Sequence, residues 1–267
     1  MRKYLFLIMT SVLALTSVTS CGEYQEILKS EDKMLKLNKA KEYYEAGDYN
    51  RAYTLLDDCM TLHRGTSTAQ EVYMYYCKTM YAQHNYILAG YHFKRFSQTY
   101  TKHEFAEEAA YMAAYCYYLE APGSSLDPAY LYKAMDELQL FINTHPGSTY
   151  IPQCTELMEE LRERLEEKSY NIAYGYYHRG EYASAVVSFT TVMSEYPDTD
   201  YREQAMYYRA DAAFKLASNS IKEKETLRFQ EALTACLEFK DEFPESEFLK
   251  PIDKLIEQIK EKLEKEQ

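Results

Sequence analysis

An alanine recurs three residues after a bulky anchor residue in five stretches of the chain, and this spacing constrains the fold more than any other feature. The anchors are Tyr49, Tyr86, Leu131, Tyr182 and Phe229, and the alanines are Ala52, Ala89, Ala134, Ala185 and Ala232. Mostly apolar or aromatic residues follow at offsets 7, 10 and 14. These offsets lie on one face of an α-helix, and alanine lets a second helix approach closely. The pattern therefore predicts five amphipathic helices, each packed closely on a neighbour.

A second helix is expected before each anchor. Ala40 and Tyr43 precede Tyr49 at the same distances at which Ala173 and Tyr176 precede Tyr182. A glycine and an acidic residue separate the two helices in both copies, at Gly47-Asp48 and Gly180-Glu181. At offset 15 the last three copies have Pro146, Pro197 and Pro244, which end the helix, whereas the first two have Arg64 and Thr101.

This combination resembles the tetratricopeptide repeat from about Leu35 to Ile259. The resemblance implies an all-α fold, a right-handed solenoid of five tetratricopeptide-like helical hairpins. A last amphipathic helix, with a stripe formed by Leu249, Ile252, Leu255, Ile256, Ile259 and Leu263, is predicted to cap it.

The anchors are 37, 45, 51 and 47 residues apart, more than the ideal of about 34, so extra residues must be accommodated. We expect inserted turns at Pro122–Pro128 and Ser218–Thr226 and one long helix from Gln153 to His178. The predicted organisation is a signal peptide (1–20), a lipidated tether (21–33), repeats 1–3 (34–152), a connecting helix shared with repeat 4 (153–179), the rest of repeats 4 and 5 (180–248) and the capping helix (249–267).

The first twenty residues predict a leader that is removed. Arg2 and Lys3 are followed by an apolar run, Tyr4–Leu15, that is too short to span a bilayer. Val18-Thr19-Ser20-Cys21 resembles a bacterial lipobox, which implies cleavage before Cys21, acylation of Cys21 and attachment to a membrane. Gly22 stands where enteric inner-membrane lipoproteins carry aspartate, which favours an outer-membrane anchor facing the periplasm.

Composition and motifs argue against catalysis. The chain has a formal net charge of −12, which disfavours nucleic acid as a partner. It has no metal-binding His/Cys spacing, no nucleophile motif and no phosphate-binding loop, so we predict no enzyme, cofactor, metal site or small-molecule substrate. Cys59, Cys77, Cys116, Cys154 and Cys236 fall at predicted core positions and are interpreted as small apolar residues.

The first helix of each hairpin lines a concave groove in tetratricopeptide folds. Carried over by position, the groove residues are Leu37, Lys41 and Tyr44 in repeat 1, Met74, Lys78 and Tyr81 in repeat 2, and Tyr111, Tyr115 and Tyr118 in repeat 3. Repeats 4 and 5 contribute Tyr170, Tyr174, Tyr177, Tyr207, Asp211 and Phe214. Tyrosine offers a large contact area at low entropic cost, so we predict a peptide-binding surface in repeats 1–3, although packing of adjacent helices would also use these residues. Lys41 and Lys78 are interpreted either as partners of a peptide carboxylate or as solvated lysines.

The lipobox, the five repeats and the long helix together resemble the BamD (YfiO) family of the outer-membrane β-barrel assembly machinery. The segments that carry the resemblance are Tyr176-Tyr177-His178-Arg179-Gly180 and Tyr196-Pro197-Asp198-Thr199. It implies that the amino-terminal repeats bind carboxy-terminal signals of unfolded outer-membrane proteins and that the carboxy-terminal repeats dock onto a BamA-like barrel protein. Arg202 matches, with a small shift of register, a basic residue of the family that contacts this partner. The alternative is another periplasmic tetratricopeptide adaptor lipoprotein, acting in cell-wall synthesis or secretion.

Overall fold

The computed structural model describes residues 22–123 and 127–264, and every regular element in these ranges is a helix. In chain order the helices are α1 (22–29), α2 (Lys33–Glu45), α3 (Tyr49–Leu62), α4 (Ala69–Ala82), α5 (Tyr86–Thr99), α6 (Ala106–Glu120), α7 (Ala129–Thr144), α8 (Ile151–His178), α9 (Tyr182–Glu195), α10 (Arg202–Ser218), α11 (Lys222–Glu242) and α12 (Leu249–Glu264). They divide into two compact units. Unit 1 comprises the described residues up to Ala121 together with Tyr132–Thr155, and unit 2 comprises Pro122–Leu131 and the described residues from Glu156 onward.

The same left-handed turn joins the helices of three hairpins. The residue two positions before the anchor has a positive φ in each case, 77° at Gly47, 59° at His84 and 77° at Gly180. The next N–H then donates to the carbonyl oxygen five residues back, at 2.8–3.0 Å, as in a Schellman cap. Glycine adopts this conformation without strain, whereas His84 adopts it although it carries a side chain. Repeat 2 therefore keeps the turn without the glycine.

The predicted core face of the second helices is confirmed. In all five copies the residues at offsets 3, 7 and 10 are buried, with at most 3% of their surface exposed. His63, at offset 14, is also buried, and its ring nitrogens lie 2.5 Å from Thr68 Oγ1 and 3.1 Å from the Lys33 carbonyl oxygen. The repeat therefore forms the core of both units.

Each unit has its own apolar core. In unit 1, Leu37, Leu56, Met80 and Phe93 belong to one buried cluster formed mainly by α2–α6. In unit 2, α8–α10 pack around Phe189, and α10–α12 pack around residues such as Phe239 and Ile252. On α12 the predicted stripe is confirmed, since Ile252, Leu255, Ile256 and Ile259 are buried and Leu249 and Leu263 pack against the same cluster.

The extra residues lie mostly in longer helices. The helix predicted from Gln153 begins at Ile151, with Pro152 in its first turn, where a missing N–H removes no helical hydrogen bond. A turn separates α10 and α11 within the predicted range, but it is shorter than predicted, because α10 includes Ser218 and α11 begins at Lys222. Glu223 and Glu225 stand in the first turn of α11, where acidic side chains stabilise a helix N-terminus, so this segment extends the helix. No helix in the described ranges is long and apolar enough to cross a membrane.

Candidate functional site

Three tyrosines form a ladder along α6 in unit 1. The rings of Tyr111 and Tyr115 are nearly parallel with centroids 5.8 Å apart, and those of Tyr115 and Tyr118 repeat this arrangement at 5.8 Å. All three side chains are half-buried. Burial raises the pKa of Tyr111 to about 12, so its phenol remains a neutral hydrogen-bonding group at physiological pH. The ladder presents apolar ring surface together with polar hydroxyl groups.

The first rung of the ladder is covered by an aromatic residue that the sequence analysis missed. Tyr150, just before α8, stacks on Tyr111 with ring centroids 4.3 Å apart. Unit 2 repeats the contact twice, where Tyr201 stacks on Tyr170 at 4.7 Å and Phe248 stacks on Tyr207 at 4.4 Å. An aromatic residue stands 19 positions after the anchor in the last four copies, as Phe105, Tyr150, Tyr201 and Phe248, and the last three of these form the stack. A search for aromatic residues at this offset would have found it.

Leu37 and Met74 do not line a surface, which corrects the prediction for these two residues. Leu37 is 0% exposed and Met74 is 4% exposed, and both belong to the core cluster of unit 1. They occupy the first groove position of repeats 1 and 2, the position equivalent to that of Tyr111. Their side chains serve the packing of successive hairpins.

Lys41 and Lys78 each pair with a carboxylate on the first helix of the following repeat. Lys41 pairs with Glu71, and Lys78 Nζ lies 3.3 Å from Glu108 Oε1. Each ammonium group also lies over an aromatic ring, 5.3 Å from the Tyr75 centroid for Lys41 and 5.2 Å from the Phe105 centroid for Lys78. The two lysines thus share one arrangement, in which each positive charge is already balanced.

Tyr44 and Tyr81 are half-buried at the end of the first helices of repeats 1 and 2. The Tyr44 ring packs edge-on against Tyr75 at 5.5 Å, and the Tyr81 ring lies 6.5 Å from Tyr115. Burial is the main cause that raises the pKa of both phenols. The structure therefore brings Tyr81 next to the α6 ladder. Tyr44 lies one repeat earlier and packs against Tyr75 of α4 instead.

Unit 2 carries a second ladder on α8, followed by a charged network. Tyr170 and Tyr174 are stacked at 5.8 Å, and Tyr177 follows at 6.2 Å. The Tyr177 hydroxyl donates to Asp211 and accepts from Lys215 Nζ at 2.5 Å, while Lys215 also lies 2.6 Å from Asp211. Asp211 is 9% exposed, so this predicted groove residue is held inside a satisfied ion pair.

Arg202 is held within unit 2. Its guanidinium pairs with Glu242 and donates to the Pro197 carbonyl oxygen at 3.2 Å. About a third of the side chain remains exposed, 30% against 38% for Glu242. A partner reaching Arg202 would therefore meet a guanidinium already fixed on one side.

The described residues contain no cluster of three or more His, Cys, Asp or Glu that could hold a metal ion. All five cysteines described are free and buried, as predicted for core residues. Burial raises the pKa of the Cys59 thiol to about 11 and that of Cys116 to about 12, which makes both poor nucleophiles. Cys21, the predicted lipidation site, lies outside the described residues.

These observations define a class of protein built from tetratricopeptide-type helical hairpins, with aromatic rows on the first helices of two of them. Repeat scaffolds of this class bind other proteins. The model of the YfiO family, described as outer membrane lipoproteins, matches residues 30–227 and 170–267. The chain therefore belongs to this family, which confirms the resemblance found in the sequence.

Two solved structures of tetratricopeptide domains are also similar. One is the TPR2AB domain of yeast Sti1 in a complex with pHSP90, at 13% identity and a TM-score of 0.42, covering 85% of this chain and 98% of that one. The other is the tetratricopeptide domain of P58(IPK), at 14% identity and a TM-score of 0.39, covering 95% of this chain and 69% of that one.

Proposed function

We propose that this chain is a non-enzymatic, lipid-anchored component of the outer-membrane β-barrel assembly machinery that faces the periplasm. It binds carboxy-terminal signals of unfolded outer-membrane proteins through unit 1 and docks onto a BamA-type barrel protein through unit 2. The observation that carries the proposal is the half-buried tyrosine ladder on α6 in a chain of the YfiO outer membrane lipoprotein family. Stacked tyrosines give a rigid contact surface for aromatic side chains.

The anchor rests on the lipobox that ends at Cys21. Acylation of this cysteine would attach the chain to the membrane through its lipid, with the two helical units beyond it. The test is radiolabelled palmitate incorporation in the native host, with membrane fractionation. Cys21→Ala should abolish labelling and release the protein from the membrane, and labelling that persists in this variant rejects the anchor.

The peptide-binding proposal is tested by truncating ladder rungs. Tyr115→Ala and Tyr118→Ala should each weaken binding of a peptide that ends in an aromatic residue by about fivefold to tenfold, because a lost aromatic contact costs about 1–1.5 kcal/mol. Tyr132→Ala is the matched control, since Tyr132 is 53% exposed in the same unit but on α7. Equal losses in all three variants, or none, would refute a ligand on α6.

The lysines allow a sharper test of whether a peptide carboxylate is bound. Glu71 and Glu108 balance Lys41 and Lys78, so a terminal carboxylate must displace them. Glu71→Gln with Glu108→Gln should therefore increase the preference for a peptide acid over its amide, and Lys41→Ala with Lys78→Ala should remove it. If the protein binds acid and amide equally, the lysines have no role in reading a carboxylate.

Docking is tested by affinity purification from detergent-solubilised envelopes with a tag after Gln267. A barrel with tandem periplasmic domains should co-purify stoichiometrically, and Arg202→Glu should weaken the association. Because Arg202 pairs with Glu242, the Arg202→Glu/Glu242→Arg double variant restores the internal ion pair. If the double variant regains docking, the single change acted by disturbing unit 2. If it does not, Arg202 itself contacts the partner.

The same purification separates this function from its alternative, a periplasmic adaptor lipoprotein in cell-wall synthesis or secretion. Recovery of peptidoglycan synthases or secretion components in place of the barrel would reject the assembly role. The tyrosine ladder would then bind a different protein ligand, while the family membership would stand.

A further inference from the structure

A cleft of about 450 Å³ opens in unit 1 beside α3, the start of α4 and α5. Its lining shares no residue with the tyrosine ladder or with the predicted groove. Its wall includes Val72 and Tyr73 from α4, Met60 from α3, and Tyr100 after α5. A volume of this order matches that of many small-ligand sites, which range from roughly 300 to 1,000 Å³.

Two arginines line the cleft, Arg64 from the loop after α3 and Arg95 from α5. Both are exposed, and neither forms an ion pair with any of the residues that the structure describes. Arg64 stands at offset 15, where the last three repeats have proline. The departure of repeat 1 from the repeat pattern therefore adds an arginine to the lining of the cleft.

The lining of the cleft includes no carboxylate, although the chain has 42 acidic residues. Two other clefts that contain basic residues also contain their carboxylate partners. The cleft lined by α5 and α7 contains Lys94 paired with Glu137, and the cleft lined by α10 and α11 contains Arg209 paired with Glu238. An unbalanced positive cleft on an acidic protein favours an anionic ligand.

The apolar wall adds a second requirement. Tyr73 is 6% exposed and packs edge-on against Phe96 and Tyr100, and its hydroxyl lies 3.2 Å from His92 Nδ1. Burial first, and then the charge of Arg95, lowers the pKa of His92, so this ring is neutral at pH 7. The guanidinium groups thus supply the charge of the cleft, and the aromatic side chains supply its apolar surface.

We propose that this cleft binds an oxyanion attached to a small apolar or aromatic group, with Arg64 and Arg95 holding the oxyanion and the ring lying against Tyr73 and Tyr100. The cleft is distinct from the ladder on α6, so it provides unit 1 with a second binding site. Arginine suits this role because its planar fork donates two hydrogen bonds to one carboxylate or phosphate.

Titration calorimetry at constant ionic strength tests the proposal on the full mature chain. The probes are 3-phenylpropionate, which has the ring and the carboxylate, its amide, which has only the ring, and inorganic phosphate, which has only the oxyanion. The acid should bind saturably, and the amide and phosphate should each bind at least about tenfold more weakly. Arg64→Gln and Arg95→Gln should each weaken binding of the acid by about tenfold.

Arg179→Gln is the matched control, because Arg179 is an exposed arginine of unit 2, and it should leave binding unchanged. Lys41→Ala with Lys78→Ala should also leave binding unchanged, which separates this site from the proposed groove. The absence of saturable binding, equal binding of acid and amide, equal binding of acid and phosphate, or insensitivity to both cleft arginines would each overturn the proposal. Loss of binding in the lysine variant would place the ligand in the groove and overturn it as well.

Discussion

The Glu137→Gln substitution would remove the charge of a carboxylate that is buried between two lysines of unit 1. Only 7% of the Glu137 side chain is exposed, against 32% for Lys94 and 48% for Lys133. Lys94 Nζ, on α5, donates to both carboxylate oxygens at 2.7 Å, and Lys133 Nζ, one turn earlier on α7, lies 2.7 Å from Oε1. The carboxylate therefore links α5 to α7.

The expected loss follows from these contacts. A hydrogen bond to a charged group contributes about 1.5–3 kcal/mol, and the partial exposure of both lysines reduces this value. Glutamine keeps the volume of the side chain and one acceptor oxygen, so no cavity forms. We therefore expect Glu137→Gln to lower the unfolding free energy of unit 1 by about 2 kcal/mol at pH 7.

The pH dependence has a defined sign. Burial raises the pKa of Glu137, but the hydrogen bonds and charges of Lys133 and Lys94 outweigh it, so the folded-state pKa lies below its ordinary value. A carboxyl group with a lowered folded-state pKa stabilises the protein above its unfolded pKa, about 4.3. This contribution is lost as the pH falls through the folded-state pKa. The difference between the natural chain and Glu137→Gln should therefore be constant from neutral pH down to about 5 and shrink at lower pH.

Urea unfolding followed by circular dichroism, with hydrogen exchange to assign the transition to unit 1, measures this difference. Lys94→Met should cost more than Lys133→Met, because Lys94 bonds both oxygens and joins two helices. The reasoning fails if Glu137→Gln changes the unfolding free energy by less than about 0.5 kcal/mol, the range of an ordinary surface substitution. It also fails if the difference remains undiminished in acid.

Further predictions concern single residues of the repeats. Tyr150→Ala should destabilise unit 1 by about 1–2 kcal/mol in urea, through loss of a ring stack, and a neutral result would show that the stack does not support the hairpin. Gly180→Ala should cost about 1 kcal/mol because the turn requires a positive φ, whereas His84→Gly should change the thermal midpoint little, since relief of strain offsets the added freedom of the unfolded chain. Ala185→Leu should destabilise unit 2 by about 1–3 kcal/mol through overpacking, and a stability equal to that of the natural chain would contradict the close helix approach. Cys77 should resist alkylation at pH 8 until the chain is unfolded, since burial raises the pKa of its thiol, and mass spectrometry of the labelled peptide checks this.

The core could be predicted from the sequence because it depends on local periodicity repeated five times. Each offset of 3, 7 or 10 places a residue on one helix face, and recurrence of the same pattern made chance improbable. Even the departures of repeat 2 did not disturb the register, as His84 shows by taking the conformation of a glycine. Helix periodicity alone therefore sufficed to identify the buried residues of every second helix.

The surface could not be predicted in the same way, because exposure depends on which residues the next hairpin covers. Leu37 and Met74 share a helix face with Lys41 and Lys78, yet the following repeat buries the first pair and leaves the second pair partly exposed. The pairing of Lys41 with Glu71 joins residues 30 positions apart and depends on side-chain conformations that the repeat pattern does not encode. The repeat pattern does not encode the start of α11 at Lys222 either, because the Lys and Glu residues of its first turn favour a helix but lie outside the offsets of the repeat.

The spacing of the α6 ladder indicates which ligands suit it. Its rungs are 5.8 Å apart, whereas an extended peptide repeats the side chains of one face at roughly 6.8 Å, twice the rise of about 3.4 Å per residue. The two spacings agree closely enough for two or three successive contacts and then diverge. Because Tyr150 covers the first rung, the contacts of the proposed peptide would fall mainly on Tyr115 and Tyr118. A ladder of this kind suits a short segment with alternating aromatic side chains, such as the end of a chain, better than a long extended stretch. Its rings are held in place by their mutual stacking, so binding of the proposed peptide would cost little side-chain entropy.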